Sequence, residues 1–204
     1  LIDDGNAQDN LVFSKRNETL LFDDVTIYAF AQHPDGRTSD TIITKFYKQN
    51  DKLTLTLKSE YANQYSAGGD QALIDRQYGT ANFRTGSWQG YQGQDFEAVL
   101  DLGELKDQAE ISIGFLQDIK SWIWYPTKVE VWAYYGDDVI EVYEDYPGMG
   151  LEEKEGEMRT TVTVKLQRPS KKIKIAAKSI GPCPDWHLGA GGESWLFLDE
   201  IDVK

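Results

Sequence analysis

The sequence predicts an all-β protein: an antiparallel jelly-roll β-sandwich with a small N-terminal β hairpin or subdomain ahead of it. Three observations carry this prediction. From residue 53 on, eight runs of β-formers follow one another, LTLTLK, FEAVLDLG, AEISIGFL, KVEVWAYY, VIEVYE, RTTVTVKL, KIKIAAKSI and SWLFLDEIDV, with polar turns between them. No 3.6-residue period of comparable length competes with them. The run from residue 96 also alternates: Phe96, Ala98, Leu100 and Leu102 share one face while Glu97, Val99 and Asp101 share the other, which is the period of a half-buried strand. Short strands of this number with polar connections fold as a two-sheet sandwich.

Taken in order, residues 1–52 form an N-terminal β segment and residues 53–204 the sandwich. In the first segment, VTIYAFAQ and TIITKFYK flank HPDGRTSD, where Pro34 presets φ and Gly36 takes the strained turn position. A hairpin follows, and because two strands alone are marginal in water it must lean on further chain. The stretch Gln71–Gly103 is a polar loop, read here through residue 93, that delivers the chain into the strand beginning at Phe96. In the last run, Leu196 and Leu198 are out of phase with Ile201 and Val203, so a bulge is expected near Asp199.

With 204 residues, 40% apolar and 12% aromatic, the chain can build one sizeable core. A net charge of −13 argues against nucleic acid, whose phosphates need clustered Lys and Arg. No run approaches the roughly 20 apolar residues of a membrane span, so membrane insertion is not expected. The start, LIDDGNAQDN, lacks a signal pattern and is expected to lie inside a longer protein. The single cysteine, Cys183, rules out an internal disulfide and leaves the redox compartment open.

If successive strands from residue 96 run antiparallel, loops 83–93, 118–127, 145–157 and 181–194 share one end and only short links occupy the other. These loops carry Trp88 and Tyr91, then Trp122, Trp124 and Tyr125, then Tyr146, then Trp186 and His187. Such rings either roof the core or present a binding platform, and sequence leaves both roles open.

Catalysis finds little support. Asp199 and Glu200 are neighbours on a strand and point to opposite faces, so they cannot act together on one substrate. Cys183 and His187 have ligand-like spacing, but one Cys and two His are too few for a zinc site, and a packing thiol in a stiff Pro/Gly loop explains them. Asp75, Gly79 and Thr80 place a carboxylate and a hydroxyl in one tight loop, the oxygen-rich chemistry Ca²⁺ prefers, although an Asp in a turn also serves as a simple Asx cap.

ALIDRQYGTANF, WQGYQGQDFEAVLDLG, SIGFLQD, SWIWYPTKVEVW and CPDWHLGAGGESWLFLDEI, in this order, resemble the C-terminal discoidin-like module of bacterial family 20 glycoside hydrolases, the β-N-acetylhexosaminidases. That module has the coagulation factor V/VIII type C, galactose-binding-like fold. The similarity covers roughly residues 60–204; residues 20–48, with TIYAFAQHPDGRTSD, are similar to the tail of the small β domain that precedes it. The resemblance implies an eight-stranded jelly roll and a structural Ca²⁺ held by Asp75, Thr80 and Glu200, with carbonyls near Ala72, Gln77 and Asp199. Arg76 stands where the pattern has glycine, at a position where positive φ is costly for a side chain.

The catalytic barrel of such an enzyme needs about 250 further residues. The expectation is therefore a non-catalytic module of an exported bacterial enzyme, monomeric as a fragment, that binds a glycan or packs on the catalytic domain. Trp88, Tyr91, Trp122, Trp124 and Trp186 would supply stacking faces, and Gln89, Asp185 and His187 the hydrogen bonds. The rivals are a purely structural domain, an adhesion module and an enzyme. The charge argues against anionic lipid, and no polar cleft with a shifted acid or base is visible to support the last.

Overall fold

The computed structural model describes residues 2–3, 8–9, 23–48 and 51–204, the first four for their backbone. The chain divides into two compact units, Leu1–Asn50 and Asp51–Lys204. Of the expected 20–48 segment, residues 20–22 lie outside the described residues.

In the first unit, β1 (Ile2–Asp3), β2 (Gln8–Asp9), β3 (Val25–Ala29) and β4 (Ile42–Phe46) form an antiparallel sheet in the order β2-β1-β3-β4. The predicted hairpin is β3–β4, with Val25 opposite Phe46 and Ala29 opposite Ile42. Its turn closes where the Pro-Asp-Gly signal lies: the Gly36 N–H donates to the His33 carbonyl at 2.9 Å, and the Asp35 carboxylate accepts from the Arg37 N–H at 3.1 Å.

The second unit is an antiparallel sandwich of β5 (Thr54–Leu57), β6 (Gln89–Gln92), β7 (Phe96–Lys106), β8 (Ala109–Gln117), β9 (Lys128–Tyr135), β10 (Asp138–Asp145), β11 (Met158–Leu166), β12 (Ser170–Lys178) and β13 (Trp195–Val203). One sheet runs β10-β9-β12-β7-β5 and the other β11-β8-β13-β6. Helical structure among the described residues is confined to four three-residue 3-10 turns. The alternation read from sequence sets the core: Phe96, Ala98 and Leu100 of β7 and Ile173 and Ile175 of β12 pack on Ile111 and Ile113 of β8 and Leu198 and Ile201 of β13. The expected bulge is present, between Leu198 and Ile201 where β13 pairs with β8. At the free edge of β5 a side chain stands in for a strand, because the Gln71 carboxamide accepts from Leu55 N at 3.2 Å and donates to Leu55 O at 2.8 Å.

A second, smaller core lies on the outer face of the four-stranded sheet. Leu116 of β8 and Phe197 of β13, a cross-strand pair, point away from the main core and gather Phe83, Trp88 and Ile123, with Tyr65 and Trp195 at the margin. Segment 62–88 wraps this face, and Tyr65, Phe83 and Phe197 meet edge-on or tilted with centroids 4.9–5.8 Å apart. Strand β6 was not predicted; it is four residues long and carries a glycine. Because it pairs antiparallel to β13, Gln92 lies opposite Trp195 at the upper end and Gln89 lies further down, opposite Leu198. The approach to β6 at 83–88 is therefore not an upper loop, and the strand-parity argument holds only from residue 93 on.

Candidate functional site

The loops at 118–127, 146–157 and 179–194, with the short link 93–95, do meet at one end. Loop 118–127 is built around a tight turn: Asp118 and Ile123 exchange backbone hydrogen bonds at 3.0 and 3.1 Å, and the Ser121 hydroxyl donates to the Asp118 carboxylate at 2.6 Å. This forces Trp122 to φ 66°, a conformation that bulky residues adopt only where the surroundings impose it. Its carbonyl accepts from Trp195 N at 2.7 Å, which anchors the turn to the start of β13.

Loop 179–194 closes on itself. Cys183 N donates to the Gly192 carbonyl at 2.7 Å and Gly191 N to the Cys183 carbonyl at 2.9 Å. Inside it, the Gly189 N–H donates to His187 Nδ1 at 3.1 Å, so Nε2 carries the proton and donates to the Ile119 carbonyl at 2.8 Å. The imidazole thus ties the two loops together. Three indoles stand edge-on around it: Trp124, Trp186 and Trp122, at 5.0, 5.7 and 6.3 Å between centroids. Gly189 is required by close approach, since a Cβ there would come within 2.5 Å of the Trp122 ring. Gly189→Ala is expected to displace Trp122 and cost about 1–3 kcal/mol, read as a fall of several degrees in melting temperature with a change in tryptophan fluorescence.

The sequence candidates separate clearly. Trp186 is 49% exposed and Trp122 37%, while Asp185 is exposed and His187 half-buried. Trp88, Gln89 and Tyr91 are at most 1% exposed and do not belong to a binding surface. Trp88 sits in the outer core, donating to the Thr80 carbonyl at 2.8 Å. Tyr91 packs on Phe96 in the main core and donates to Gln89 Oε1 at 2.6 Å, and Gln89 Nε2 holds the Ser66 and Gly69 carbonyls. Trp124 is also buried, with its indole N–H on the Glu152 carbonyl at 3.0 Å, but one wall of its ring lines a cleft described below. Cys183 packs with Ile119 and Trp124, and burial pushes its thiol up, as a packing thiol requires.

Further down β13, Asp75 and Glu200 come together. Glu200 is 2% exposed; Oε2 accepts from Arg76 N at 2.9 Å and Oε1 has no partner. Burial, then the Asp75 carboxylate, push the Glu200 pKa up to about 8, and burial raises Asp75 as well. Asp75 is also the Asx cap of its own turn, accepting from Gln77 N at 2.8 Å. Arg76 adopts φ 64°, so the turn that the resemblance assigns to glycine is made by an arginine. The Thr80 hydroxyl donates to the Asn82 carbonyl at 3.1 Å. Asp199 turns the other way, its Oδ2 accepting from Gly79 N at 2.9 Å and Arg159 at 2.8 Å. Asp75 and Glu200 thus form a carboxylate pair, and among the described residues no group of three or more acidic, His or Cys side chains converges. A buried carboxylate with one unpartnered oxygen beside a second carboxylate fits a hard divalent cation. Arg159, which pairs with Asp199 and lies 5.7 Å over the Trp88 ring, gave no signal in the sequence.

No protein-family model matches the chain, and no curated protein matches it. Among solved structures, the chain is similar to the module CpGH89CBM32-5 of Clostridium perfringens in complex with GalNAc-β-1,3-galactose, at 17% identity and a TM-score of 0.44, covering 74% of this chain and 94% of that one. The family 32 carbohydrate-binding module of C. perfringens NanJ in complex with galactose gives 17% identity and a TM-score of 0.40 over 75% and 94%. The lectin domain of lectinolysin complexed with Lewis B antigen gives 11% and 0.44 over 74% and 91%.

Proposed function

We propose that the 51–204 unit is a non-catalytic carbohydrate-binding module, carried by an exported glycoside hydrolase of the β-N-acetylhexosaminidase type that its motifs resemble. The observation that carries this reading is the pair of exposed indoles, Trp122 and Trp186, held on two interlocked loops around His187. Flat aromatic faces take up the C–H faces of pyranose rings, and rigid loops spare the ordering cost that a mobile site incurs on binding. Asp185 and the backbone of the 184–191 loop supply polar groups beside them. Asp199 and Glu200, the carboxyl pair nearest to an acid–base dyad in sequence, are buried and point apart, which suits a binding role.

A structural Ca²⁺ belongs to the same proposal, with Asp75 and Glu200 as its carboxylate ligands and the Thr80 side chain and the carbonyls of Ala72, Gln77 and Asp199 as further donors. The buried, unpartnered Glu200 oxygen supports it. Bound there, the ion would neutralise the carboxylate pair and tie the 72–80 turn to β13.

The test is a glycan array with the whole chain, followed by calorimetry on the best ligand. Trp186→Ala is expected to weaken binding by about 1–2 kcal/mol with little change in stability, and Trp122→Ala to weaken it similarly with some loss of stability because that ring also packs on glycines. Binding that survives both substitutions would move the site elsewhere. Absence of any glycan ligand would favour the second reading, in which this end docks on a catalytic domain. The exposed Leu188 and Met149 beside the indoles speak for that alternative.

A further inference from the structure

Beside the indole cluster, loop 146–152 stands off the body of the sandwich and leaves a cleft of about 150 Å³. Its walls are mostly apolar, Trp124, Tyr125, Ile180, Tyr146 and Met149, with Gln117, Thr127 and Glu152 as the polar lining. They are fixed from several sides. Gln117 Nε2 donates to the Leu151 carbonyl at 2.7 Å and its Oε1 accepts from Tyr125 N at 3.3 Å, while the Trp124 indole N–H holds the Glu152 carbonyl. Gly148 lets the loop press against Pro126, whose carbonyl would lie 3.0 Å from an added Cβ.

One group in this cleft has no task in the fold. Tyr125 is 4% exposed and its ring belongs to the main core, yet its hydroxyl makes no hydrogen bond among the described residues; it is also not among the fully enclosed polar atoms that lack partners. A phenol donor lining a mostly apolar cleft, where the Gln117 side chain and the Thr127 hydroxyl are already engaged with the backbone, asks for an acceptor on whatever enters.

Size and charge narrow the occupant. A dry cavity of comparable volume accommodates about six heavy atoms, too few for a whole hexose with its hydroxyls and enough for a substituent. The walls call for an apolar end and Tyr125 for an acceptor oxygen; Glu152 disfavours a carboxylate. We infer that the cleft binds the acyl group of an acylated sugar, with the methyl against Trp124, Met149 and Ile180 and the carbonyl oxygen accepting from Tyr125 Oη. The inference rests on the carbohydrate-binding reading and deepens it. The same acetyl chemistry occurs as an N-acetyl amide and as an O-acetyl ester.

The experiment titrates the whole chain with di-N-acetylchitobiose, its N-deacetylated counterpart, and methyl glucoside with and without a 6-O-acetyl group. At least one acetylated sugar should bind ten-fold or more tightly than its unacylated partner, and the arm that does so identifies amide or ester. Tyr125→Phe, which keeps the ring and hence the core, should remove most of that preference without changing the affinity of the unacylated sugar or the melting temperature. The acetyl methyl should show magnetisation transfer to the Met149 methyl. Equal affinity for acetylated and unacylated sugars overturns the inference and leaves the carbohydrate reading standing, as does methyl contact at Trp186 instead. Failure of every glycan on the array overturns both, and binding of a free acetyl-lysine peptide more tightly than any sugar overturns the assignment to glycans.

Discussion

Trp88→Ala is expected to cost the sandwich about 3–5 kcal/mol and to lower its melting temperature by roughly 10 °C, while glycan affinity measured below that temperature stays as it was. The ring is 1% exposed and forms part of the outer core with Phe83, Leu116, Ile123 and Phe197. A Cβ at Gly79 would overlap it, so the surrounding turn is shaped to the indole and collapses poorly around a void. Arg159 and the Thr80 carbonyl also lose a partner. The contrast with Trp186→Ala is the informative part: one tryptophan changes stability and not binding, the other binding and not stability. Thermal melts and calorimetry on both variants check it, and loss of binding in a fully stable Trp88→Ala protein would contradict the division made here.

In chelator, stability is expected to fall as pH rises from about 4.5 to about 8, against the usual rise of carboxylate proteins away from acid. Glu200 titrates near its ordinary 4.5 in the unfolded chain and near 8 in the fold, so between these values the folded state holds the extra proton. Stability from this group is complete below pH 4.5 and is lost as pH climbs through 8. At about 1.4 kcal/mol per pH unit, the full loss is about 4–5 kcal/mol. Calcium should abolish most of the slope, because cation and proton compete for the same oxygens. Glu200→Gln should flatten the profile without calcium and remove the response to it. Melts at pH 5 and pH 8, each with calcium and with chelator, decide the matter; four equal midpoints would remove both the shifted carboxyl and the ion.

The strands were legible because turns separate runs of β-formers and most of these bury one face: from Phe96 on, such runs mark seven of the nine strands of the larger unit, and the phase slip after Leu198 even locates the bulge. Strand β6 was not, for Gln-Gly-Tyr-Gln has no alternation to read, and its omission put Trp88 in an upper loop and hid that Tyr91 faces the main core. Burial of an aromatic depends on what lies across the sheet, here the outward-facing Leu116 and Phe197, and a local pattern does not record it. Trp122 and Trp186 stand out in the sequence by type and loop, and both are exposed, but their common partner His187 was expected to hydrogen-bond sugar when both of its nitrogens already serve the backbone. The Asp75–Glu200 pair came from family motifs and not from spacing, since 124 residues separate Arg76 from Glu200.

The Gln71 carboxamide on Leu55 bears on how copies of this chain coexist. A sheet ending in an unpaired strand offers its row of donors and acceptors to any extended chain nearby, including another copy of itself. Here the Leu55 rung is already occupied by a side chain that copies a peptide group and cannot be extended into a further strand. A second copy that approaches this margin finds that rung already taken. Self-association through this edge is thereby disfavoured even where the chain is concentrated.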